Sequence, residues 1–451
     1  MAISGIEIFK LLPGGQKPPS PKANCKECGM PTCMAFGMKL AAKQVQLSAC
    51  PYVSEDSKAR LEASAVPPIR LITMKGAGVE LKVGNEICLY RHEKTFYNRP
   101  GLFIRVKASQ SDLSAVVEQA NGYHVSYVGS DFGINGFAVE ADGSADGFAA
   151  AVKTVRTLSK LPIILMSGDA AVLATGAAAL PGETPLLCGA DASNWEAMAG
   201  LAAKNKLPLV VNGDNLNALA ELTEKIKAKG AEDLVLNPAA KSMGAALAQA
   251  SQIRRLALKN FHALGYPVIS LACNAGSPER EALLATQAIA KYAGFVVLDQ
   301  FTPELVYALL VLRENIYTDP QKPIQVLPGV YEINHPTAES PVLVTTNFSI
   351  TYFSVANEVE GAGLPVWLLV ADAEGMSVLT AWAAGKFDAE RIAKAVKSFN
   401  IESKISKKRI CIPGHVAVLS GELEEELPGW EIKVGPREAV DLPAFIKQVL
   451  N

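Results

Sequence analysis

The chain has 451 residues, of which 49% are hydrophobic and 20% are charged, so it is too long for one hydrophobic core and should form two or three domains. A formal net charge of −2 and the lack of a long basic run argue against a nucleic-acid-binding protein. The first ten residues lack the layout of a signal peptide. No apolar run approaches the roughly 20 residues that a membrane span needs, so the sequence predicts a cytoplasmic protein.

Half of the eight cysteines lie near the start of the chain, with the spacing C-x2-C-x4-C-x16-C. They are Cys25, Cys28, Cys33 and Cys50. Four neighbouring thiolates usually hold a [4Fe-4S] cluster, with one sulfur on each iron. A four-cysteine zinc site prefers two C-x2-C pairs, and only the first pair here has that spacing. A disulfide framework would require an oxidising compartment. We predict cluster ligands, with zinc as the first alternative.

Residues 1–60 are predicted to form a small [4Fe-4S] cluster domain, with short helices at Ile6–Leu12 and Met34–Val45. So small a module buries little apolar surface, and its cluster should supply much of its stability. Residues 61–92 are predicted to be a linker, because the Pro67–Pro68 pair favours an extended chain.

Residues 93–325 alternate between strand-like runs and helical segments. The strand-like runs are Leu102–Lys107, Gly136–Asp142, Pro162–Gly168, Pro185–Ala190, Pro208–Asp214, Asp233–Pro238, Pro267–Cys273 and Gly294–Phe301. Eight such β-α units predict a central (β/α)8 TIM barrel. A doubly wound sheet is the alternative.

Polar residues follow most of these strands, at the end where barrels carry their chemistry. They are Asp142, Asp169, Asp191, Asn212, Asp214, Asn237, Asn274 and Asp299. No histidine joins them, and we expect most of them to be helix N-caps. We therefore assign no catalytic residue. The segment Arg91–Lys94, just before the barrel, is predicted to be a surface charge cluster, with partner docking as the lesser alternative.

Residues 326–451 predict a Rossmann-like α/β domain. Near-continuous apolar runs such as Val366–Val370 are typical of strands buried on both faces of a parallel sheet. Ligands of such sheets bind outside the carboxyl ends of the strands. The chain has neither a G-x-G-x-x-G motif nor a P-loop, which argues against a nucleotide ligand.

Several segments together match a known family. They are Cys25–Cys33, Cys50–Tyr52, Arg91–Phe96, Gly375–Trp382, Leu427–Trp430 and Val434–Ala439. With them the chain resembles, over nearly its whole length, the large (gamma) subunit of the corrinoid iron-sulfur protein of anaerobic acetyl-CoA synthesis, the Wood-Ljungdahl pathway. It departs from the family pattern mainly in a longer loop at 14–21.

The resemblance implies a [4Fe-4S] domain, a TIM barrel and a C-terminal corrinoid-binding domain. It also implies a methyl carrier, whose cob(I)amide accepts a methyl group from methyltetrahydrofolate through a separate methyltransferase and donates it to acetyl-CoA synthase/CO dehydrogenase. The cluster would reductively reactivate Co(II), and a small corrinoid-protein subunit would complete a heterodimer. Two other interpretations stay open: a barrel-based methyltransferase, and an iron-sulfur electron carrier without corrinoid.

We predict that the corrinoid contacts lie in the loops at the carboxyl ends of the C-terminal strands. The candidates are Thr345, Thr346, Asn347, Thr351, Gly375, Met376, Ser377, Val378, Thr380, Gly414 and Ala439. The D-x-H-x-x-G motif that supplies a lower cobalt ligand in many corrinoid proteins is missing, although His415 lies near the presumed edge. We expect a base-off, cobalamin-type corrinoid without a protein ligand, with Thr380 beneath the cobalt. The alternative for Thr380 is a helix threonine that bonds its own backbone.

Overall fold

The computed structural model describes residues 5–41, 44–58, 61, 67–127, 130–240, 242–318 and 325–450. Part of the predicted linker (62–66) and part of the predicted helix Met34–Val45 (42–43) lie outside the described residues. The chain divides into two compact units, one of Met1–Tyr123 with Gly133–Tyr317 and one of His124–Phe132 with Thr318–Asn451. None of the helices formed by the described residues combines the length and apolarity that crossing a membrane requires.

The N-terminal module is built on two short helices, α1 (Gly5–Leu11) and α2 (Cys33–Ala41). They cross closely, because Gly37 has no side chain at a point where a Cβ would lie 3.0 Å from the carbonyl oxygen of Gly5. The small core around the crossing includes Leu12 and Phe36, each 1% exposed.

The central strands form a closed, parallel, eight-stranded barrel in chain order, which confirms the TIM barrel and excludes the doubly wound sheet. The last strand pairs with the first, with Val297 opposite Phe103. The barrel strands are β3 (Gly101–Lys107), β6 (Gly136–Glu140), β7 (Ile163–Met166), β8 (Leu186–Ala190), β9 (Leu209–Asn212), β10 (Leu234–Asn237), β11 (Val268–Ser270) and β12 (Ala293–Leu298).

A helix follows each barrel strand. The helices are α3 (Leu113–Gly122), α4 (Ala145–Leu158), α5 (Ala170–Ala178), α6 (Trp195–Asn205), α7 (Leu216–Ala228), α8 (Met243–Leu258), α9 (Pro278–Ala290) and α10 (Pro303–Ile316). Local sequence sets several starts: Ser277 caps α9 by accepting the N–H of Arg280, and Pro occupies the first turn of α9 and of α10.

An antiparallel hairpin, β1 (Ile72–Lys75) with β2 (Glu80–Val83), closes the amino-terminal end of the barrel. A Cβ at Gly101, where β3 begins, would lie 2.6 Å from the Leu81 side chain, so the hairpin sits directly against the strand starts. Ile72 and Met74 are completely buried in the barrel core. The sequence pattern does not predict this hairpin, which falls within the predicted linker 61–92.

The second unit contains a five-stranded sheet. Its strands are β13 (Gly329–Ile333), β14 (Val342–Thr346), β15 (Val366–Ala371), β16 (Arg409–Ile412) and β17 (Glu431–Val434). They are arranged in the order β13-β15-β14-β16-β17. Four strands are parallel, as predicted, but β13 is an antiparallel edge strand beside β15 that the sequence pattern does not predict. A small hairpin, β4 (Val125–Tyr127) with β5 (Ser130–Phe132), also belongs to this unit.

Helices cover both faces of this sheet, which confirms the Rossmann-like α/β domain. They are α11 (Ser349–Gly361), α12 (Val378–Ala383), α13 (Ala389–Ser398), α14 (Ser420–Glu426) and α15 (Leu442–Phe445). Buried side chains form one apolar layer on each face: α12, α13 and α14 contribute to one, and α11 and α15 to the other.

Candidate functional site

The four predicted cluster ligands lie in the N-terminal module, and all are free thiols. Cys33 and Cys50 are buried in its core, whereas Cys25 and Cys28 are partly exposed. Burial raises the pKa of the Cys50 thiol, a backbone hydrogen bond at Tyr52 opposes this, and the charges of Cys28, Cys33 and Cys25 raise the pKa further. Three of the four, Cys28, Cys33 and Cys50, pack in or against the same apolar core cluster.

Within the described residues, no three His, Cys, Asp or Glu side chains are gathered closely enough to hold a single metal ion. A four-iron cluster has a different requirement, because each thiolate binds its own iron and the ligands surround a larger body. The donor set of four thiols, two of them buried in an apolar core, fits such a cluster, and Cys25, Cys28, Cys33 and Cys50 would hold it.

Asn24, directly before the first cysteine of the motif, is hydrogen-bonded to Cys33, one of the predicted ligands. Its backbone N–H donates to Cys33 Sγ at 3.3 Å, and its side-chain Oδ1 accepts the Cys33 N–H at 2.8 Å. Asn24 has φ of 53° and Lys26 has φ of 67°, a left-handed conformation that only a few per cent of non-glycine residues adopt. The Asn24 N–H thus points at the sulfur of a predicted ligand, and hydrogen bonds to the sulfurs are one way in which a protein sets a cluster's potential.

The second unit has a cavity of about 580 Å³ at the carboxyl edge of its sheet. The cavity lies where the parallel strands β14 and β16 end, between α11 and the loops that follow the strands. Its polar lining comes from Thr345, Thr351, Ser354, Asn357, Glu358, Ser377, His415, Arg437 and Glu438. This position agrees with the general rule for ligands of open α/β sheets.

One buried polar side chain in the cavity lining has no hydrogen-bond partner among the described residues. Thr345 is 1% exposed, and its Oγ1 makes no hydrogen bond within the described structure. A buried hydroxyl without a partner is costly, and an amide-bearing ligand in the cavity would satisfy it. A corrin ring, with its amide side chains, therefore fits these residues. The hydroxyl of the adjacent Thr346 is also buried and has no partner in the described part of the chain, but Thr346 does not line the cavity.

Asn347 organises the loop beside the cavity and does not line it. Its Oδ1 accepts the N–H groups of Ala373 at 2.9 Å and Gly375 at 3.0 Å, and its Nδ2 donates to Asp372 at 3.2 Å. Gly375, with φ of 72°, is turned inward, where a Cβ would lie 2.5 Å from the Gln325 side chain. The residues that follow this loop, Ser377 and Val378, therefore lie in the cavity wall.

The structure brings five of the eleven predicted corrinoid contacts to the cavity, namely Thr345, Thr351, Ser377, Val378 and Ala439. The other six lie outside its lining; they are Thr346, Asn347, Gly375, Met376, Thr380 and Gly414. Met376 packs on the core. Gly414 instead lets two loops touch, because a Cβ there would lie 2.5 Å from the carbonyl oxygen of Gly435.

Thr380, the residue predicted to lie beneath cobalt, is exposed on the first turn of α12. Its Oγ1 lies 2.9 Å from Ser377 Oγ, and Ser377 lines the cavity. The hydroxyl therefore pairs with another side chain, whereas the alternative interpretation has it bonding its own backbone. Its place under cobalt stays a prediction.

Sequence reasoning missed several lining residues. On α11 these are Ile350, Ser354, Val355, Asn357 and Glu358, which share a helix face with Thr351; the helical period from Thr351 could have identified them. Arg437 also lines the cavity, as does His415, whose Nε2 lies 4.0 Å from Glu438 Oε1.

The carboxyl end of the barrel is occupied by an internal ion-pair network around Arg105. This guanidinium bonds Asp299, Asn274 Oδ1 at 3.0 Å and the Cys273 carbonyl at 3.1 Å, and it pairs with Glu140 at 3.2 Å. The expectation that helix N-caps explain most polar strand ends is wrong. Among those eight residues only Asp169 caps a helix, because the caps elsewhere, such as Ser144 and Asn215, lie further along each loop.

Comparison with known proteins shows which family the chain resembles. The family model of the CO dehydrogenase/acetyl-CoA synthase delta subunit matches residues 72–446, and a model described as a putative Fe-S cluster matches residues 21–52. The corrinoid/iron-sulfur protein large subunit of Moorella thermoacetica is 44% identical, over 99% of both chains. The acetyl-CoA decarbonylase/synthase complex subunit gamma of Methanosarcina acetivorans is 33% identical, over 99% of this chain and 98% of that one.

The chain belongs to this family of corrinoid/iron-sulfur proteins. The resemblance carried by the sequence motifs is thereby confirmed. Among solved structures, dihydropteroate synthase from Thermus thermophilus aligns with 55% of this chain and 100% of its own, at 16% identity and a TM-score of 0.39. So low a TM-score supports no inference about the present chain.

Proposed function

We propose that the chain is a methyl carrier of the acetyl-CoA synthase pathway that binds one corrinoid in the C-terminal cavity and one [4Fe-4S] cluster in the N-terminal module. When bound, the corrinoid would supply cobalt to carry a methyl group from methyltetrahydrofolate, through a separate methyltransferase, to acetyl-CoA synthase. The observation that supports this most is the cavity at the sheet edge, with the unpartnered Thr345 hydroxyl in its wall.

The chain's own residues would bind and orient the corrinoid. Thr345, Thr351 and Ser377, which line the cavity, would present hydroxyls to its amide groups, and Asn347 fixes the loop that carries Ser377. Apolar lining residues such as Val378 and Ala439 would cover part of the ring and exclude water from it.

We propose the base-off state because no histidine occurs in a ligand motif, and a cobalt without a strong lower donor is easier to reduce. His415 lines the cavity, and coordination of cobalt by its imidazole would contradict this part of the proposal. The four thiolates would hold the cluster that returns cobalt to its active state, one electron at a time.

The proposed partners are a small corrinoid-protein subunit in a heterodimer, a methyltetrahydrofolate methyltransferase, and acetyl-CoA synthase/CO dehydrogenase. The names of the relatives, which include a corrinoid/iron-sulfur protein subunit and subunits of an acetyl-CoA decarbonylase/synthase complex, support this set. A cytoplasmic location remains our prediction.

The absorption spectrum and metal content of anaerobically purified protein test the proposal. We expect four irons and one cobalt per chain, with corrinoid bands in the visible above the broad cluster absorption. Iron without cobalt, after reconstitution with a corrinoid, would instead favour an electron carrier without corrinoid. Tight binding of methyltetrahydrofolate by the chain alone would favour the barrel-based methyltransferase.

A further inference from the structure

A surface loop, residues 88–98, lies between the barrel-closing hairpin and the first barrel strand and displays aromatic side chains. Tyr90 is 44% exposed and Tyr97 is 46% exposed. The Tyr90 ring stacks on His92, with centroids 5.5 Å apart and planes 10° from parallel, and Lys94 Nζ lies 4.9 Å from the centre of the Tyr97 ring. The Arg91–Lys94 segment of the sequence motif forms the tip of this loop.

Carboxylate and thiol groups fix the backbone of the loop. The buried Glu86 carboxylate accepts the N–H groups of Tyr97 at 2.9 Å and Asn98 at 3.0 Å. Within the loop, Glu93 Oε2 accepts the N–H groups of Leu89 and Tyr90, each at 3.2 Å. Cys88 Sγ donates to the Lys94 carbonyl at 3.4 Å.

A buried arginine holds the loop from below. Arg254, on α8, is only 4% exposed and donates to the Cys88 carbonyl at 3.2 Å. Its guanidinium lies 5.6 Å from the Phe96 ring centre and 4.6 Å from that of Tyr292, and the Tyr292 hydroxyl donates to the Leu89 carbonyl at 2.9 Å. Burying Arg254 and Glu86 carries a desolvation cost. What these two charges hold in place is a loop whose tip is exposed to solvent.

We propose that this loop, residues 88–98, is a docking surface for an acidic patch on another protein subunit of the chain's complex. Tyrosine side chains that are already fixed lose little conformational entropy on binding and are typical of interface anchors. Two of the exposed cations here are Lys94 and, next to Tyr292, Lys291, and neither has an ion-pair partner among the described residues. Glu93 Oε2 is engaged by two backbone N–H groups, and Lys94 and Lys291 together outweigh this single carboxylate, so the surface favours a partner of negative charge. The proposal depends on the proposed membership of a multisubunit complex.

The test uses the complex purified with its own subunits. A carbodiimide joins lysine to carboxylate without a spacer, so we expect a cross-link between Lys94 and an Asp or Glu of another subunit. The double variant His92→Ala/Tyr97→Ala should bind that subunit about tenfold more weakly, with an unchanged dependence on salt because it keeps Lys94. Tyr307→Ala, which removes a tyrosine that is 50% exposed on α10, is the matched control and should bind normally.

The outcomes separate the two proposals. If the complex forms but Lys94 gives no cross-link to another subunit, and the double variant binds as the wild type does, the docking surface is wrong and the proposed function stands. If the chain carries both cofactors yet assembles with no other subunit, complex membership fails, and the docking surface fails with it. An equal loss of binding in Tyr307→Ala would also overturn the proposal, because the effect would not belong to this loop. Unchanged thermal unfolding of the double variant excludes misfolding as the cause.

Discussion

Two adjacent threonines in β14 allow the effect of a buried hydroxyl on ligand binding to be measured separately from its effect on stability. Both hydroxyls are buried without a hydrogen-bond partner among the described residues, but only Thr345 lines the cavity. Valine matches the shape of threonine and removes the hydroxyl, so either Thr345→Val or Thr346→Val should stabilise the ligand-free chain by about 1 kcal/mol. Only Thr345→Val should weaken corrinoid binding, because only that hydroxyl would meet the ligand.

Thermal unfolding of the two ligand-free variants and a corrinoid titration followed by absorption check this prediction. Thr346→Val is the control, one residue away and with the same chemistry. Equal corrinoid affinity in the two variants would mean that the Thr345 hydroxyl makes no bond to the ligand.

Asn24 should set the reduction potential of the cluster. Its backbone N–H points at Cys33 Sγ, and its side chain and left-handed backbone keep it there. Alanine tolerates that backbone conformation less well and lacks the Oδ1 acceptor. In Asn24→Ala we expect the N–H···S bond to be weakened and the cluster's midpoint potential to become more negative.

Redox titration monitored by electron paramagnetic resonance measures this shift, with the cluster content determined in the same samples. Asn260→Ala is the matched control, because Asn260 has φ of 63° and follows a barrel helix, α8. A midpoint potential equal to that of the wild type, in protein with a full cluster, would show that Asn24 does not tune it.

The chemistry of a site could be predicted from sequence where the number and spacing of its residues indicate it. The four cysteines indicate a cluster by their number and spacing alone. Sequence could not tell which of Thr345 and Thr346 lines the cavity, because β14 is buried on both faces and shows no alternation between buried and exposed positions. Nor could the inward turn of Gly375, which depends on a hydrogen bond to an asparagine 28 residues away.

At the scale of elements, the loop between β15 and α12 depends on Asn347. The side chain supplies an acceptor for two N–H groups and a donor for Asp372. Asn347→Ala should cost about 3 kcal/mol of unfolding free energy for the second unit, at about 1 kcal/mol for each hydrogen bond. Corrinoid binding should weaken as well, since Ser377 and Val378 follow this loop.

Chemical denaturation followed by tryptophan fluorescence and a corrinoid titration give the two values. Asn334→Ala is a useful control, because Asn334 also bonds backbone, at Val359 and Leu364, but makes none of the bonds that hold the loop before Ser377. A loss of corrinoid binding in Asn334→Ala as large as in Asn347→Ala would refute a specific role for the loop.

Regular elements were predictable because the βα period repeats. Eight repeats of the same alternation, with caps such as Ser277 followed by Pro278, leave few other folds. The hairpin β1–β2 was not predictable because each of its strands has only four residues. The edge strand β13 was not predictable because it pairs antiparallel with β15, which is not its neighbour in the chain.

For the whole molecule, the two cofactors should contribute unequally to stability. The N-terminal module has a small core, and four of its side chains are proposed to bind iron. Removal of iron with a chelator should therefore unfold this module while the barrel stays folded. Hydrogen exchange followed by mass spectrometry checks this: the module should lose protection after chelation, and strands such as β3 should keep theirs. Retained protection in the iron-free module would show that its fold does not depend on the cluster.

The central claim is that the leading thiolates supply electrons to a cobalt held by the C-terminal sheet. The most direct measurement follows the Co(II) signal by electron paramagnetic resonance when a reduced iron-sulfur carrier protein is added to corrinoid-loaded wild type and to Cys28→Ala. We predict that the signal disappears in the wild type and persists in Cys28→Ala, although both contain the same amount of corrinoid. Loss of the Co(II) signal at the same rate in both proteins would contradict the account.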